Sequence, residues 1–278
     1  MKRAPRTTWL IHLGLAAGAI LMLYPLLWMI SSSFKPPSLI FRDLGLWPSA
    51  TTLDNYRYGW TALNIPFSRF FLNSFLISSL SVIGTVISAS FTAYAFARLE
   101  FRFKRPLFAL MLMTLMLPGH VTLIPQYVLF LRLDWINTFY PLWVPSFFGG
   151  GAFFIFLNVQ FIRSIPRELD EVAEVDGANH FQVYWRIIFP LSLPALITTA
   201  VFAFLWSWDD FFSQLLYISD IRLHTVPLAL RAFLDSSGES SFGPLFAMST
   251  LSLIPVFVLF VLAQRFLVQG IATSGVKG

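Results

Sequence analysis

The stretch ELDEVAEVDGANHFQVYWRIIFPLSLP, residues 168–194, decides how the rest of the chain is read. Its first nine positions hold Glu168, Asp170, Glu171, Glu174 and Asp176, the densest acidic run in the sequence. Residues 135–162 before it and 187–208 after it contain no Asp, Glu, Lys or Arg. Its local physics predicts a short helix, a tight turn and a second helix. Ser164 is placed to cap the first helix, with Pro166 in its first turn, where a missing N–H costs nothing. Glu168, Asp170 and Glu171 then sit near the positive end of the helix dipole. Leu169, Val172 and Ala173 fall at i, i+3 and i+4 and form a narrow apolar face. Gly177 supplies a left-handed stop. Asn179, followed by Gln182, caps a second helix that runs through Val183, Tyr184 and Ile187 toward Pro190.

Such a segment between two apolar runs belongs to a membrane protein. Of the 278 residues, 56% are hydrophobic and 12% charged, and the mean hydropathy is +0.70. Soluble domains carry about 25% charged residues. Charge-free intervals cover 7–34, 70–97, 106–131, 135–162, 187–208 and 240–264. A bilayer span needs about 20 apolar residues, so each interval fits one helix. The expected fold is an all-α membrane protein of about six transmembrane helices, near 9–33, 71–97, 106–131, 138–162, 190–217 and 244–268. They form a single transmembrane domain over 1–278, with a cytoplasmic loop, 163–189, between spans four and five. The first apolar stretch is too long for a signal-peptide core and continues past Tyr24-Pro25, so it reads as an uncleaved span.

Orientation follows from Lys and Arg. With the N-terminus inside, Lys2, Arg3, Arg6, Arg98, Arg102, Lys104, Arg105, Arg163, Arg167, Arg186, Arg265 and Lys277 are cytoplasmic, which is most of the 19. Both termini are then cytoplasmic. The net charge of +5 reflects this bias and asks for no nucleic acid. The chain has no Cys, hence no disulfide or thiolate metal site, and His12, His120, His180 and His224 have no ligand spacing, so no metal is assigned. The outer segments 35–69 and 219–239 read as irregular loops with turns. Trp47, Trp60, Trp135, Trp143, Trp206 and Trp208 gather toward outer boundaries as an aromatic belt would.

Polar groups inside the spans each carry two readings. Trp208, Asp209 and Asp210 late in the fifth span either line a translocation path or cap the span at the interface. Pro118, His120 and Gln126 in the third either face a cavity or mark a kink whose freed carbonyls are satisfied by neighbours. Asn158 and Gln160 suit helix–helix hydrogen bonds or snorkelling. Gly149, Gly150 and Gly151 either admit a neighbouring helix closely or loosen their own.

The acidic segment would sit badly on an anionic leaflet, because interfacial helices are usually rich in Lys and Arg. A protein partner with a basic cleft suits it better than lipid or water. Here the segment resembles the signature loop of ABC importer permeases: Glu-Ala-Ala, three residues, Gly, nine residues, Ile, one residue, Leu-Pro. Glu171, Val172 and Ala173 match its start, Gly177 the Gly, and Ile187 and Pro190 its end; Val172 and Phe189 depart from it and stay apolar. YPLLWMISSSFK (24–35), LWPSATTLDNY (46–56), AYAFARLEF (93–101), MLPGHVTLIPQY (116–127), WSWDDFF (206–212) and QRFLVQGIATSGVKG (264–278) are similar to carbohydrate-type permeases. They are similar in particular to the second permease subunit of maltose-like and oligosaccharide importers. That family usually has Asn in place of Asp209.

The resemblance implies a transport subunit and not an enzyme. It implies no cofactor on this chain, which lacks a Gly-Lys-Ser/Thr phosphate loop; ATP and Mg would sit on a separate ATPase. The helix 167–176 would enter a cleft of that ATPase, with Glu171 pairing a basic residue, Leu169, Val172 and Ala173 filling the cleft, and Asp176 and Gly177 setting the exit. Partners would be a second, non-identical permease, an ATPase dimer, a bilayer, and an extracytoplasmic sugar-binding protein docking on 35–69 and 219–239. The setting would be a bacterial or archaeal cell membrane. Three rivals stand beside this. A self-sufficient secondary carrier or channel predicts a charged pair near mid-bilayer and inverted repeats, and neither is visible. A membrane enzyme predicts convergent His, Asp, Glu or Ser at one face. The same importer class with glycerol phosphate or a polyol as cargo changes only the substrate.

Overall fold

The computed structural model describes residues 6–235 and 242–275, with side chains at 9–119, 121–234 and 242–266. Lys2, Arg3, Lys277 and the side chains of Arg6 and His120, all weighed above, lie outside these, as does part of the segment 219–239. Among the described residues the regular structure is helical throughout. In chain order the α-helices are α1 (Arg6–Ser33), α2 (Asp54–Thr61), α3 (Phe67–Arg98), α4 (Lys104–Thr114), α5 (Leu123–Arg132), α6 (Tyr140–Trp143), α7 (Ala152–Ser164), α8 (Glu168–Val175), α9 (His180–Val183), α10 (Phe189–Leu191), α11 (Leu193–Trp208), α12 (Phe212–Tyr217), α13 (Val226–Asp235) and α14 (Phe242–Gly275).

Four runs are long and apolar enough to cross a membrane: Trp9–Ser33, Phe67–Arg98, Tyr140–Ser164 and Phe242–Phe266. A fifth is the pair His180–Leu191 and Leu193–Trp208, bent by 74°. The bend has local causes. Tyr184–Ile188 is a π-helical turn, and Pro190 and Pro194 lack the N–H that would continue the ladder. The expected third span is two short helices, α4 and α5, with Pro118 and Gly119 between them. Six helices of spanning length are therefore not reached among the described residues.

The chain divides into two compact units. The first, Met1–Arg69 with Ala229–Ile254, contains residues 35–69, expected from the sequence to be an outer segment. That segment is more ordered than its turn residues suggest. It holds α2, and Lys35 is wholly buried, its Nζ donating to the carbonyls of Asp43 (2.6 Å) and Gly45 (2.7 Å). Asn55 Nδ2 donates to the carbonyls of Ser33 (2.9 Å) and Lys35 (2.7 Å), tying α2 to the end of α1. A Cβ at Gly243 would overlap the Asn55 carboxamide, so α14 can start only against α2 if that position is glycine.

The second unit, Phe70–Leu228 with Pro255–Gly278, carries the larger core. Ala89, Ala93 and Ala97 on α3 pack with Ile155, Val159 and Ile162 on α7 and with Val183, Tyr184 and Ile188 beyond. Small residues on α3 permit this approach. Asn158 on α7 donates to Thr199 Oγ1 on α11 at 2.8 Å, the interhelical bond expected of it. Gly149, Gly150 and Gly151 all have positive φ and break the helix before α7. A Cβ on Gly150 would meet Ser88 Oγ at 2.7 Å and Thr85 O at 2.9 Å. The glycine run is thus a close-approach elbow against α3, and not a flexible stretch of helix.

Candidate functional site

Helix α8 starts later than its sequence suggests. Ser164 closes α7 and donates to Phe161 O (2.7 Å) instead of capping α8. Ile165 is extended, as a residue before proline prefers, so Pro166 precedes the helix. Arg167 is the N-cap, its carbonyl accepting from the amides of Asp170 (2.9 Å) and Glu171 (3.1 Å). No side chain caps the first turn, and Glu168, Asp170 and Glu171 supply negative charge there.

The other end is closed as the residue pattern predicts. Gly177 has φ +83, Gly177 N donates to Glu174 O (3.0 Å) and Ala178 N to Ala173 O (2.9 Å). Those two bonds are a Schellman motif, which uses orphan carbonyls and reverses the chain. Asn179 Oδ1 accepts from Gln182 N (2.9 Å) and Gln182 Oε1 from Asn179 N (2.9 Å), a complete capping box at the start of α9.

The loop is fastened to the end of α3. Arg98, the last residue of α3, places Nε 2.7 Å from Asp170 Oδ2 and donates from Nη2 to Ile165 O at 2.7 Å. Both side chains of that pair are largely buried. Tyr94 OH donates to His180 O (3.0 Å), and Phe91 stacks on Tyr184 with centroids 4.7 Å apart. A cavity of about 200 Å³ lies between these groups, bordered by Tyr94, Arg98, Arg167, Asp170, Glu174 and His180. Burial pushes the Asp170 carboxyl above the usual carboxylate range, and the Arg98 guanidinium pulls it back. The anchoring roles of Tyr94, Arg98 and Asp170 are absent from the sequence reading. The one available signal was Arg98 as the cation that ends a long charge-free run.

The face turned to solvent is acidic and apolar together. Leu169, Val172 and Val175 are exposed, Val175 by 87%, and Glu168, Glu171, Glu174 and Asp176 are exposed beside them. Ala173, expected on this face, is half-buried and packs on the core; Val175 takes the outward place. The spacing 169, 172, 175 keeps three apolar side chains within one arc of the helix.

Of the five candidates for a translocation path, the His120 side chain lies outside the described residues, and the other four are not brought together. Trp208 is buried, stacked on Phe204 at 5.4 Å. Asp209 ends α11 and is exposed, and Gln126 is exposed on α5. Asp210 lines a cleft of about 360 Å³ with Ser81, Thr85, Ser146, Gly150 and Trp206. Asp210 Oδ1 also accepts from Ser213 N at 3.0 Å, so it serves the start of α12 as well. Among the described residues no group of three or more His, Cys, Asp or Glu could hold a metal ion.

Residues 81–273 match the family described as binding-protein-dependent transport system inner membrane component. The chain belongs to that family. It is 31% identical to the arabinooligosaccharides transport system permease protein AraQ of Halalkalibacterium halodurans, over 100% of this chain and 99% of the relative. It is 32% identical to the trehalose/maltose transport system permease protein MalG of Thermococcus litoralis, over 97% of this chain and 96% of the relative. A crystal structure of a bacterial ABC transporter involved in import of the acidic polysaccharide alginate contains a chain of the same fold. Its TM-score is 0.82 at 20% identity, covering 96% of this chain and 100% of that one. This transport component is therefore a membrane protein, and its acidic loop lies within the matched region.

Proposed function

We propose that this chain is the second permease subunit of an ATP-driven importer for a sugar or oligosaccharide. The observation that carries the reading is α8: an exposed acidic and apolar helix, closed at its C-terminal end by the Gly177 turn and anchored by a buried ion pair to a membrane-spanning helix. Support for a carbohydrate cargo comes from the relatives, which are permeases for arabino-oligosaccharides and for trehalose and maltose.

In this reading the chain is not an enzyme and holds no cofactor of its own. A separate ATPase dimer binds ATP and Mg. Leu169, Val172 and Val175 enter an apolar cleft of one ATPase subunit, Glu171 pairs with a basic side chain at its edge, and Asp176 and Gly177 set the exit. ATP-driven closure then displaces α8. Because Arg98–Asp170 ties α8 to α3, and α9 continues toward the bent span, the displacement tilts membrane helices instead of dissipating in a loop. A ligand shifts such a two-state equilibrium only by its differential affinity for the two states. A non-identical permease completes the pathway, a sugar-binding protein delivers cargo to the outer segments, and both termini are cytoplasmic. Asp210 with Trp206 and Ser81 offers a carboxylate, an aromatic surface and a hydroxyl along the path.

Co-purification of tagged wild type and Glu171→Lys tests this. Wild type brings down an ATPase and a second permease, with sugar-stimulated ATP hydrolysis. The variant keeps the second permease and loses the ATPase or its stimulation. Wild type that purifies alone and moves solute on an ion gradient would hand the function to a secondary carrier.

A further inference from the structure

A second cleft lies in the same unit, where α3 ends and α4 begins, bordered by the last turn of α7. Its volume is about 570 Å³. Lys104, Arg105 and Arg163 line it, opposed by the single carboxylate Glu100, and Phe96, Phe101, Phe103 and Phe108 complete the wall. Glu100 is engaged with Lys104 at 2.9 Å. Among the described residues neither Arg105 nor Arg163 has a carboxylate within ion-pair distance. Arg163 lies over the Phe108 ring at 5.2 Å, which holds the guanidinium beside the cleft without neutralising it.

The backbone assembles these cations at a cost. Phe103 sits at φ +65, a left-handed conformation unfavourable for an aromatic residue, and that turn starts α4. Lys104 and Arg105 then occupy the first turn of an 11-residue helix with no acid and no side-chain cap, so two positive charges meet the positive end of the dipole. The charge–dipole cost falls when an anion occupies the cleft.

We infer that this cleft binds the phosphate headgroup of an anionic phospholipid, held between Lys104, Arg105 and Arg163. Three observations select a lipid over other anions. The cleft sits where the spanning runs Phe67–Arg98 and Tyr140–Ser164 both end, which is headgroup depth. Its wall is aromatic, as at membrane interfaces. From it, Leu107 and Leu110 continue along α4 as exposed apolar side chains, a track for an acyl chain. The inference needs only that α3 and α7 cross a membrane, and it stands apart from the docking role of α8.

The test is native mass spectrometry of the intact detergent-solubilised complex, titrated with phosphatidylglycerol or phosphatidylcholine. Wild type is expected to favour phosphatidylglycerol. Each cation near a membrane surface contributes about fivefold to anionic-lipid affinity, so Arg105→Gln/Arg163→Gln lowers it by about 25-fold and erases the preference. Arg105→Lys/Arg163→Lys retains most of it, because a headgroup phosphate accepts a point charge. ATPase co-purified in each sample reports that the complex is intact. Equal binding of the two lipids by wild type overturns the inference. So does an unchanged preference in the Gln variant, or loss of ATPase with the lipid preference kept, which assigns the cleft to a protein partner. Displacement of bound phosphatidylglycerol by inorganic phosphate at matched ionic strength overturns it in favour of a soluble anion.

Discussion

Asp170 and Glu171 are adjacent acids with opposite surroundings. Asp170 is turned inward against Arg98, while Glu171 faces solvent. Their substitutions separate accordingly. Arg98→Gln leaves a buried carboxylate without its partner, and breaking a buried pair costs about 3–5 kcal/mol. Thermal unfolding of the complex should shift well below wild type, while the double variant Arg98→Gln/Asp170→Asn recovers part of the loss. Additive losses in that double variant would mean that the 2.7 Å pair does not couple. His224 gives a pH dependence. Burial holds its imidazole below the ordinary value of 6.5, and Nδ1 is buried without a hydrogen-bond partner. The folded state therefore binds fewer protons than the unfolded one in the window below 6.5, and stability rises with pH there. The thermal midpoint of the purified complex should fall as pH drops from 7.5 toward 5.5, by less in His224→Gln; an equal fall in both would place the sensitivity elsewhere.

Elements with strong local signals were legible and elements made by tertiary contact were not. The Gly177 stop and the Asn179–Gln182 capping box follow from residue chemistry within a few positions, and both are present. Ser164 failed as a cap because α7 continues through it and Ile165-Pro166 must run extended. The inward turn of Ala173 depends on what α3 and α7 present, which α8's own sequence does not contain. Charge-free length marked the long apolar helices and Pro118 marked a kink in the third expected span, but neither showed that this span divides into two separate short helices. Gly150 and Gly151 show how one glycine run mixes two causes. Gly151 requires its φ of +83 and little else, with Phe154 Cδ2 at 3.5 Å from a Cβ there; Gly150 adds overlap with Ser88 and Thr85 to a φ of +57. Gly151→Ala should cost about 1–2 kcal/mol of backbone strain. Gly150→Ala should cost about 1–3 kcal/mol more from overpacking between α3 and the elbow. Chemical or thermal denaturation of the two variants side by side checks the order, and equal costs would mean that α3 yields at Ser88.

At the scale of the whole molecule the open quantity is how many times the chain crosses the bilayer, and parity decides it. Helices α4 and α5 have 11 and 10 residues. At 1.5 Å per residue they reach about 17 and 15 Å, so end to end they match a hydrocarbon core of about 30 Å. Either the broken pair crosses once, giving six spans, or it returns to the side it left. Trp47 follows α1 and is 91% exposed; Val175 follows α7 and is 87% exposed. Between them lie α3, the α4–α5 pair and the run Tyr140–Ser164. Three crossings put Trp47 and Val175 on opposite sides, and two put them on the same side. The chain contains no Cys, so Trp47→Cys and Val175→Cys each introduce one reactive thiol without a background. In intact cells producing the chain without the ATPase that would cover Val175, a membrane-impermeant maleimide should label Trp47→Cys, and should label Val175→Cys only after permeabilisation. Labelling of both from outside would place α8 away from any cytoplasmic ATPase and remove the broken pair from the count. Labelling of Val175 alone would invert the orientation that Lys and Arg imply.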